Sequence, residues 1–302
     1  MSEDRAMSDD RDQVALEQAR QNRTTSAQWV LFGSHRRAIE RLIIPAAEPP
    51  LGDRAAPPRR PTLCVLGAGN CNDLDLKHLV QVFAEVHLVD IDPSALEAAV
   101  RRQGVENLPA IKRHTPFDLT AAAPTVSAWA EGPPTASEID RTIQAISNSP
   151  RPDLGHFDVV LSPCVLSQLI EPIRLALDRG RHARYREIRA ALRARHLRTM
   201  THLLRPRGRG VLAIDLASSK MEPRLPQAHD DDLPAVMQRL VSDRRIFTGL
   251  SPAEIAETVQ SDPPLRREVA DLRFTKPWLW HMGLRKSFLV YGVLFRRAMG
   301  QA

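Results

Sequence analysis

From Thr62 onward, short apolar runs alternate with stretches in which apolar residues recur every three or four positions. The first rhythm reads as strand and the second as helix. TLCVL at 62–66 predicts a strand, and GAGNCND after it a turn. Leu74, Leu76, Leu79, Val80 and Phe83 then mark a helix. VHLV at 86–89 predicts a second strand, followed by DIDPSALEAAV, where Asp92 can cap a helix and Pro93 suits its first position. Further strands are expected near 110–113, at 157–161 (FDVVL) and at 210–216 (GVLAIDL), with a long helix over 184–204. Residues 120–156, rich in Pro, Ala and Ser, read as an irregular insertion around one helix. Such alternation implies a parallel sheet with helices on both faces. The tail breaks it. RFTKPWLWHMGLRKSFLVYGVLFRR holds two strand-like runs too close together for a parallel crossover, so they are expected to be antiparallel.

Before Thr62 the pattern differs. Residues 1–22 read as a disordered tail, and 23–61 as a helix followed by a linker. The helix spans about Thr25 to Ile44, with Pro45 stopping it. PAAEPPLGDRAAPPRRP carries prolines at 45, 49, 50, 57, 58 and 61 and reads as stiff and extended. The folded body is then 62–302. Of the 302 residues, 43% are hydrophobic and 26% charged, which argues against general disorder. No apolar run approaches the roughly 18 residues of a membrane span. The acidic start lacks an apolar core for a secretory signal, so the expected compartment is the cytoplasm. Cys64, Cys71 and Cys164 include no C-x-x-C pair, so neither a disulfide framework nor a metal site is expected.

Net charge is +6, weak evidence for nucleic acid by itself. Basic residues are mostly arginine and crowd residues 174–209, where Tyr185, Ile188, Leu192, Met200 and Leu203 form an apolar stripe. An amphipathic helix with a solvated arginine face is the plain reading. A patch for RNA or an acidic partner is the alternative, supported by only one interleaved aromatic, Tyr185.

The densest chemical signal is VLGAGNCNDLDL between the first strand and its helix. Gly67 and Gly69 let the backbone turn sharply and approach a ligand. Asp90 lies 21 residues after Gly69, at the end of the second strand, where a carboxylate can accept both ribose hydroxyls of an adenosine. A structural tight turn is the alternative. The third glycine of a dinucleotide fingerprint is replaced by Asn72, and Asp73 and Asp75 follow, poor company for a pyrophosphate. A cofactor with an amino-acid end and no phosphates suits this loop better, as S-adenosylmethionine would.

On these residues the chain resembles the class I S-adenosylmethionine-dependent methyltransferases over about 62–296, in the branch acting on small molecules. VLGAGNCND is similar to the family's first motif and VDIDPSALEAA to its second. FDVVLSPCVLSQL is similar to its fourth-strand motif, and LLRPRGRGVLAIDL to the turn before its fifth strand, with Arg207 in place of a glycine. The resemblance implies a Rossmann-like, doubly wound, mostly parallel seven-stranded sheet with a C-terminal antiparallel hairpin. It implies S-adenosylmethionine held by Gly67, Ala68, Gly69, Asn70 and Asp73 in the loop. Asp90 and Ile91 would meet the ribose, and Asp118 and Leu119 the adenine. Ser162 and Pro163 would line the pocket between cofactor and a small-molecule acceptor.

Two departures from that pattern are Val65, where an acid often stands, and Cys71, at the third glycine. They motivate an alternative, a binding or regulatory module without turnover. A nicotinamide-dependent oxidoreductase is a second alternative. Cys164 could be a nucleophile but reads better as an apolar filler. His35, Arg36 and His281 are conceivable contributors, each more simply a surface or packing residue, and no catalytic base is assigned. The N-terminal helix, bearing Trp29 and Phe32, is expected to close over the acceptor site.

Overall fold

Strand β1 (Thr62–Leu66) shows how the sheet is held. Alternate residues of a strand face opposite sides. Leu63 and Val65 join one apolar core, while Cys64 and Leu66 join another. Both faces of the strand are therefore buried, which is why its sequence is continuously apolar. The structure, a computed structural model, describes residues 22–47, 59–129, 132–177, 180–283 and 286–299. The expected tail at 1–21 and most of the proline-rich linker, 48–58, lie outside them. Asn22, counted with that tail, is buried.

The remaining strands are β2 (Glu85–Val89), β3 (Ile111–His114), β4 (Phe157–Pro163), β5 (Leu204–Ser218), β6 (Val269–Phe274), β7 (Trp278–His281) and β8 (Ser287–Arg297). They form one sheet in the order β3-β2-β1-β4-β5-β8-β6, with β7 also paired to β8. Pairings from β3 through to β5 are parallel, and β8 runs antiparallel to β5, β6 and β7. The fold is thus the expected mostly parallel sheet closed by an antiparallel hairpin. Its seven positions are filled by eight strands, because the edge position is broken in two. Phe274 lies opposite Val293 and Trp278 opposite Val290. At the break, the Thr275 hydroxyl accepts the Gly292 N–H at 2.8 Å. Pro277, just before β7, has no N–H to give to the ladder.

Helices α1 (Gly33–Ala47), α2 (Leu76–Val82) and α3 (Pro93–Arg102) pack on the face that holds Leu63 and Val65. The other face carries α4 (Ala123–Ala128), α5 (Ala136–Asn148), α6 (Val165–Ala176) and α7 (Tyr185–Leu203). It is completed by α8 (Leu233–Ser242), α9 (Pro252–Ser261) and α10 (Pro263–Glu268). Asp92 caps α3 as expected, accepting from Ser94 and Ala95. The insertion holds two helices rather than one, and Thr135 and Glu138 form a capping box that starts the second.

The N-terminal helix departs from its expected bounds. It begins at Gly33 and passes through Pro45, whose carbonyl accepts from Arg209 at 2.5 Å. Residues 22–32 instead make a separate turn-rich segment, fastened by Arg36. That guanidinium donates to the carbonyls of Trp29 and Asn72 and stacks on the Trp29 ring at 3.6 Å.

Helix α7 also departs from its plain reading. Arg189 and Arg193 are buried, not solvated. Arg189 pairs with Glu254, and Arg193 donates to Thr258 and to the carbonyl of Gly249. Arg198 reaches Ser147 and Asp262. These arginines tie α7 to its neighbours, which removes them from any nucleic-acid patch.

Candidate active site

The carboxyl ends of β1, β2, β4 and β5 open into one cavity of about 320 Å³. In a doubly wound sheet this is where the connections diverge to opposite faces and leave a crevice. β1 lies between β2 and β4 at that divergence.

The floor is the glycine loop. Gly67 and Gly69 have φ of +72° and +47°, values that L side chains adopt at a cost. At Gly67 packing adds a second demand, since a Cβ there would stand 2.3 Å from Val165 Cγ2. Gly67 is thus glycine because α6 comes so close, while a Cβ at Gly69 would stand 3.1 Å from the Asn22 side chain of the segment above. Cys71 takes the left-handed conformation, φ 49°, without being glycine. Val65 is fully enclosed in the core. Neither Val65 nor Cys71 lines the cavity.

Asp90 holds the loop to β2. Its Oδ2 accepts the Gly69 N–H at 2.7 Å and its Oδ1 accepts the Asp92 N–H at 2.9 Å. Each oxygen keeps a lone pair for a ligand. Burial pushes its carboxyl up to about 6, against the opposing pull of those two N–H groups. Asp118 lies across the cavity, folded onto its own turn by bonds from Thr120 and Ala123. Ala68, Asn70, Asp73, Ile91, Leu119 and Pro163 also line the space. Ser162 does not. One residue out of phase with Pro163 on β4, it points to α7 and bonds His196 at 2.8 Å.

Several lining residues escaped the sequence reading. Asp215 is the foremost. It lies in β5 beside a bulge, where Asp215 faces Val290 and Ala217 faces Leu289, leaving Leu216 extra. Bulges re-aim side chains near sites. Asp215 Oδ2 accepts from Ser167 at 2.9 Å, and Oδ1 is buried without a partner. Burial pushes Asp215 up to about 7. Asp73 is also raised to about 7, by burial, with Arg36 opposing and Asp215 reinforcing. The only signal in the sequence was one acid inside the apolar run GVLAIDL.

The N-terminal segment supplies the roof. Asn22, Thr24, Thr25 and Phe32 line the cavity, and Asn70 and Asn72 donate to the backbone of Asn22 and Thr25. The covering element is this segment, while helix α1 itself packs on the sheet against β4, β5 and β7. His35 is wholly buried, stacked on Trp280 with centroids 4.5 Å apart. Its Nδ1 accepts from Trp278, so the proton sits on Nε2, which stands 3.4 Å from Asp73 Oδ1 without closing a hydrogen bond. Burial, reinforced by Arg36, pushes His35 down to about 3, so the ring is neutral. His281 bonds Ser287 and lies off the cavity. Burial and the nearby Asp215 and Asp73 push the Cys164 thiol well above its ordinary value, so it stays protonated and fills space.

Among the described residues lining the cavity, the charged side chains are Asp73, Asp90, Asp118 and Asp215 against Lys286. Its buried atoms without partners are three acceptors, on Asn72, Asp73 and Asp215, and one donor, Trp280 Nε1. Such a space suits a ligand that brings positive charge and N–H or O–H groups. Among the described residues no His, Cys, Asp or Glu group is placed to hold a metal ion, and no helix is long and apolar enough to cross a membrane.

No family model matches the chain, and no curated protein does. Among solved structures it is similar to a methyltransferase from Methanosarcina mazei described as SAM-dependent, at 11% identity over 80% of this chain and 95% of that one, TM-score 0.44. It is also similar to human N-acetylserotonin methyltransferase in complex with SAM, at 14% identity over 79% of this chain and 48% of that one, TM-score 0.39. A third is the N-methyltransferase NodS from Bradyrhizobium japonicum with S-adenosyl-L-homocysteine, at 14% identity over 79% and 78%, TM-score 0.35. Likenesses this remote carry no weight beside the geometry above.

Proposed function

We propose that the chain transfers a methyl group from S-adenosylmethionine to a small-molecule acceptor. The observation that carries this reading is the charge of the cavity: a glycine loop and a ribose-ready Asp90, walled by carboxylates. A pyrophosphate would meet Asp73 there, and the nearest guanidiniums are already taken. Arg102 donates to the carbonyls of Ser26 and Asn70, and Arg36 to those of Trp29 and Asn72. This disfavours a nicotinamide dinucleotide. A sulfonium with an ammonium end matches the unpartnered acceptors on Asn72 and Asp73 in the loop instead.

Asp90 would hold the ribose hydroxyls on its free lone pairs. Ile91 and Leu119 would give the base an apolar wall, with Asp118 at its polar edge. Asp73 would meet the ammonium. When bound, the cofactor supplies an activated methyl group, so the protein's work is to position an acceptor and exclude water. The segment 22–32, lying over the loop, does the latter.

Calorimetry tests this reading with three ligands: S-adenosylmethionine, S-adenosylhomocysteine and NAD. The first two should bind and NAD should not. Asp90→Ala should weaken S-adenosylhomocysteine by about tenfold or more, the loss of charge-assisted bonds to the diol. Binding of NAD in preference to S-adenosylhomocysteine would overturn the assignment.

A further inference from the structure

One carboxylate is left over once the cofactor's needs are met. Asp215 comes from β5, beyond β4 from the glycine loop, and is more than nine-tenths buried. Its Oδ1 has no partner among the described residues. An ionised oxygen enclosed in this way is costly unless a donor reaches it. Three aromatic rings line the same cavity. Phe32 and Trp280 meet edge to face at 4.9 Å, and Trp280 and Phe288 lie 5.1 Å apart. The face of Phe288 already carries an ammonium of the chain itself, since Lys286 Nζ lies 5.6 Å from its centroid. Aromatic faces beside a buried carboxylate recognise ammonium groups through cation–π attraction and a charge-assisted hydrogen bond together.

We propose that the methyl acceptor is an amine, its nitrogen held by Asp215 Oδ1 and its carbon frame by Phe32, Trp280 and Phe288. This rests on the methyl-transfer reading and narrows its substrate class. An ammonium must lose a proton before its nitrogen can attack, and Asp215 is the group that takes it. The groups facing Asp215 are Asp73 from the glycine loop and Cys164 and Ser167 at the start of α6, while Tyr291 of β8, on the other face of the sheet, donates to the carbonyl of Leu250. Burial holds Asp215 at about 7, close to where such an exchange is easiest. The freed nitrogen lone pair forms the bond to the methyl carbon as the carbon–sulfur bond breaks, its electron pair staying on sulfur. The products are a methylated ammonium and a neutral thioether, and Asp215 passes the one released proton to solvent.

The test uses protein saturated with S-adenosylhomocysteine, titrated with three probes that share one phenethyl frame and differ in the polar group: phenethylamine, 2-phenylethanol and 3-phenylpropionate. The amine should bind at least about tenfold tighter than the alcohol, as a charge-assisted bond implies, and the carboxylate should not bind. Asp215→Asn keeps the shape and removes the charge. It should bring amine and alcohol within about twofold of each other while leaving S-adenosylhomocysteine affinity unchanged, which also reports that the variant is folded. Ser167→Ala, which removes only the donor to Oδ2, should retain the amine preference. An amine preference that survives Asp215→Asn, or an alcohol or carboxylate that binds as well as the amine, overturns the acceptor assignment alone. A wild-type protein that binds no S-adenosylhomocysteine overturns the methyl-transfer reading and the acceptor assignment with it.

Discussion

The two ends of the parallel sheet treat their carboxylates in opposite ways. At the amino end, Asp158 opens β4 and is met from three sides. Arg59 donates to both oxygens, Arg205 donates at 3.1 Å, and the N–H and hydroxyl of Thr62 complete the set. Burial alone would raise this acid, but the bonds from Arg59 and Thr62 and the charge of Arg205 more than reverse it, so Asp158 stays below its ordinary value. At the carboxyl end, burial wins. Asp73, Asp90 and Asp215 are all raised, and two of them keep an oxygen with no partner. A protein optimised only for stability would pair these groups or replace them. One end is finished by the chain itself and the other waits for a ligand.

The largest effect that sharpens this contrast is at Asp215. Its carboxyl releases a proton near 3.8 when unfolded and near 7 when folded. Between those values the folded state holds more protons, so stability falls as pH rises. Asp215→Asn removes that loss. Its advantage should be absent below about pH 4, grow through pH 4–7 and be full above 7, at most about 4 kcal/mol for a shift of this size. Thermal melts of both proteins across that range check it. A variant less stable than wild type at pH 8 would mean that Asp215 is a structural acid like Asp158.

Asp158→Asn should act in the opposite direction and less strongly. It removes charge-assisted bonds at a half-buried group, costing about 1–3 kcal/mol at neutral pH. A depressed acid stabilises above its unfolded value and loses that contribution as pH falls through its folded value. The deficit should therefore shrink in strong acid. Denaturant midpoints at pH 7 and pH 2.5 measure it, and a deficit that is the same at both would break the comparison.

The same contrast explains what was legible in the sequence. Gly67, Gly69 and Asp90 could be read because their roles follow from local backbone geometry and a fixed strand-to-strand spacing. Ile91 follows from the end of β2 and Asp118 from the end of β3. Ser162 was placed with the site by proximity along the chain, yet strand alternation turns it to the opposite face. Asp215 hid in an apolar strand because its aim depends on a bulge, and a bulge exists only in register with β8. Phe32 and Trp280 come from opposite ends of the chain and meet only once α1 lies on β7. Residues 219–268 carried no reading from the sequence. Of the α-helices there, α9 and α10 are started by side-chain caps and pack on α7 and β6, while α8 has no such cap and is held by burial of Leu233 and Leu240.

The smallest expected effect concerns the roof over the unfinished end. Arg102 reaches from the end of α3 to the carbonyls of Ser26 and Asn70, at 2.8 and 2.6 Å, and so pins the segment 22–32 to the glycine loop. The bond to Ser26 is exposed and that to Asn70 part-buried, and both hold the turn-rich segment rather than the sheet. Arg102→Gln should therefore leave the global melting temperature nearly unchanged. The effect should be local, because this segment is held by a few such bonds while the sheet beneath is buried on both faces. Hydrogen exchange at the Gln28, Leu31 and Gly33 amides, which close turns within the segment, should speed up several-fold. Amides of β1 and β4 should not change. S-adenosylhomocysteine should bind a few-fold less tightly, since part of its binding energy would go into reseating the roof. Faster exchange with no change in ligand affinity would show that the segment covers the loop without taking part in binding, and the roof would then belong to the packing of the finished end.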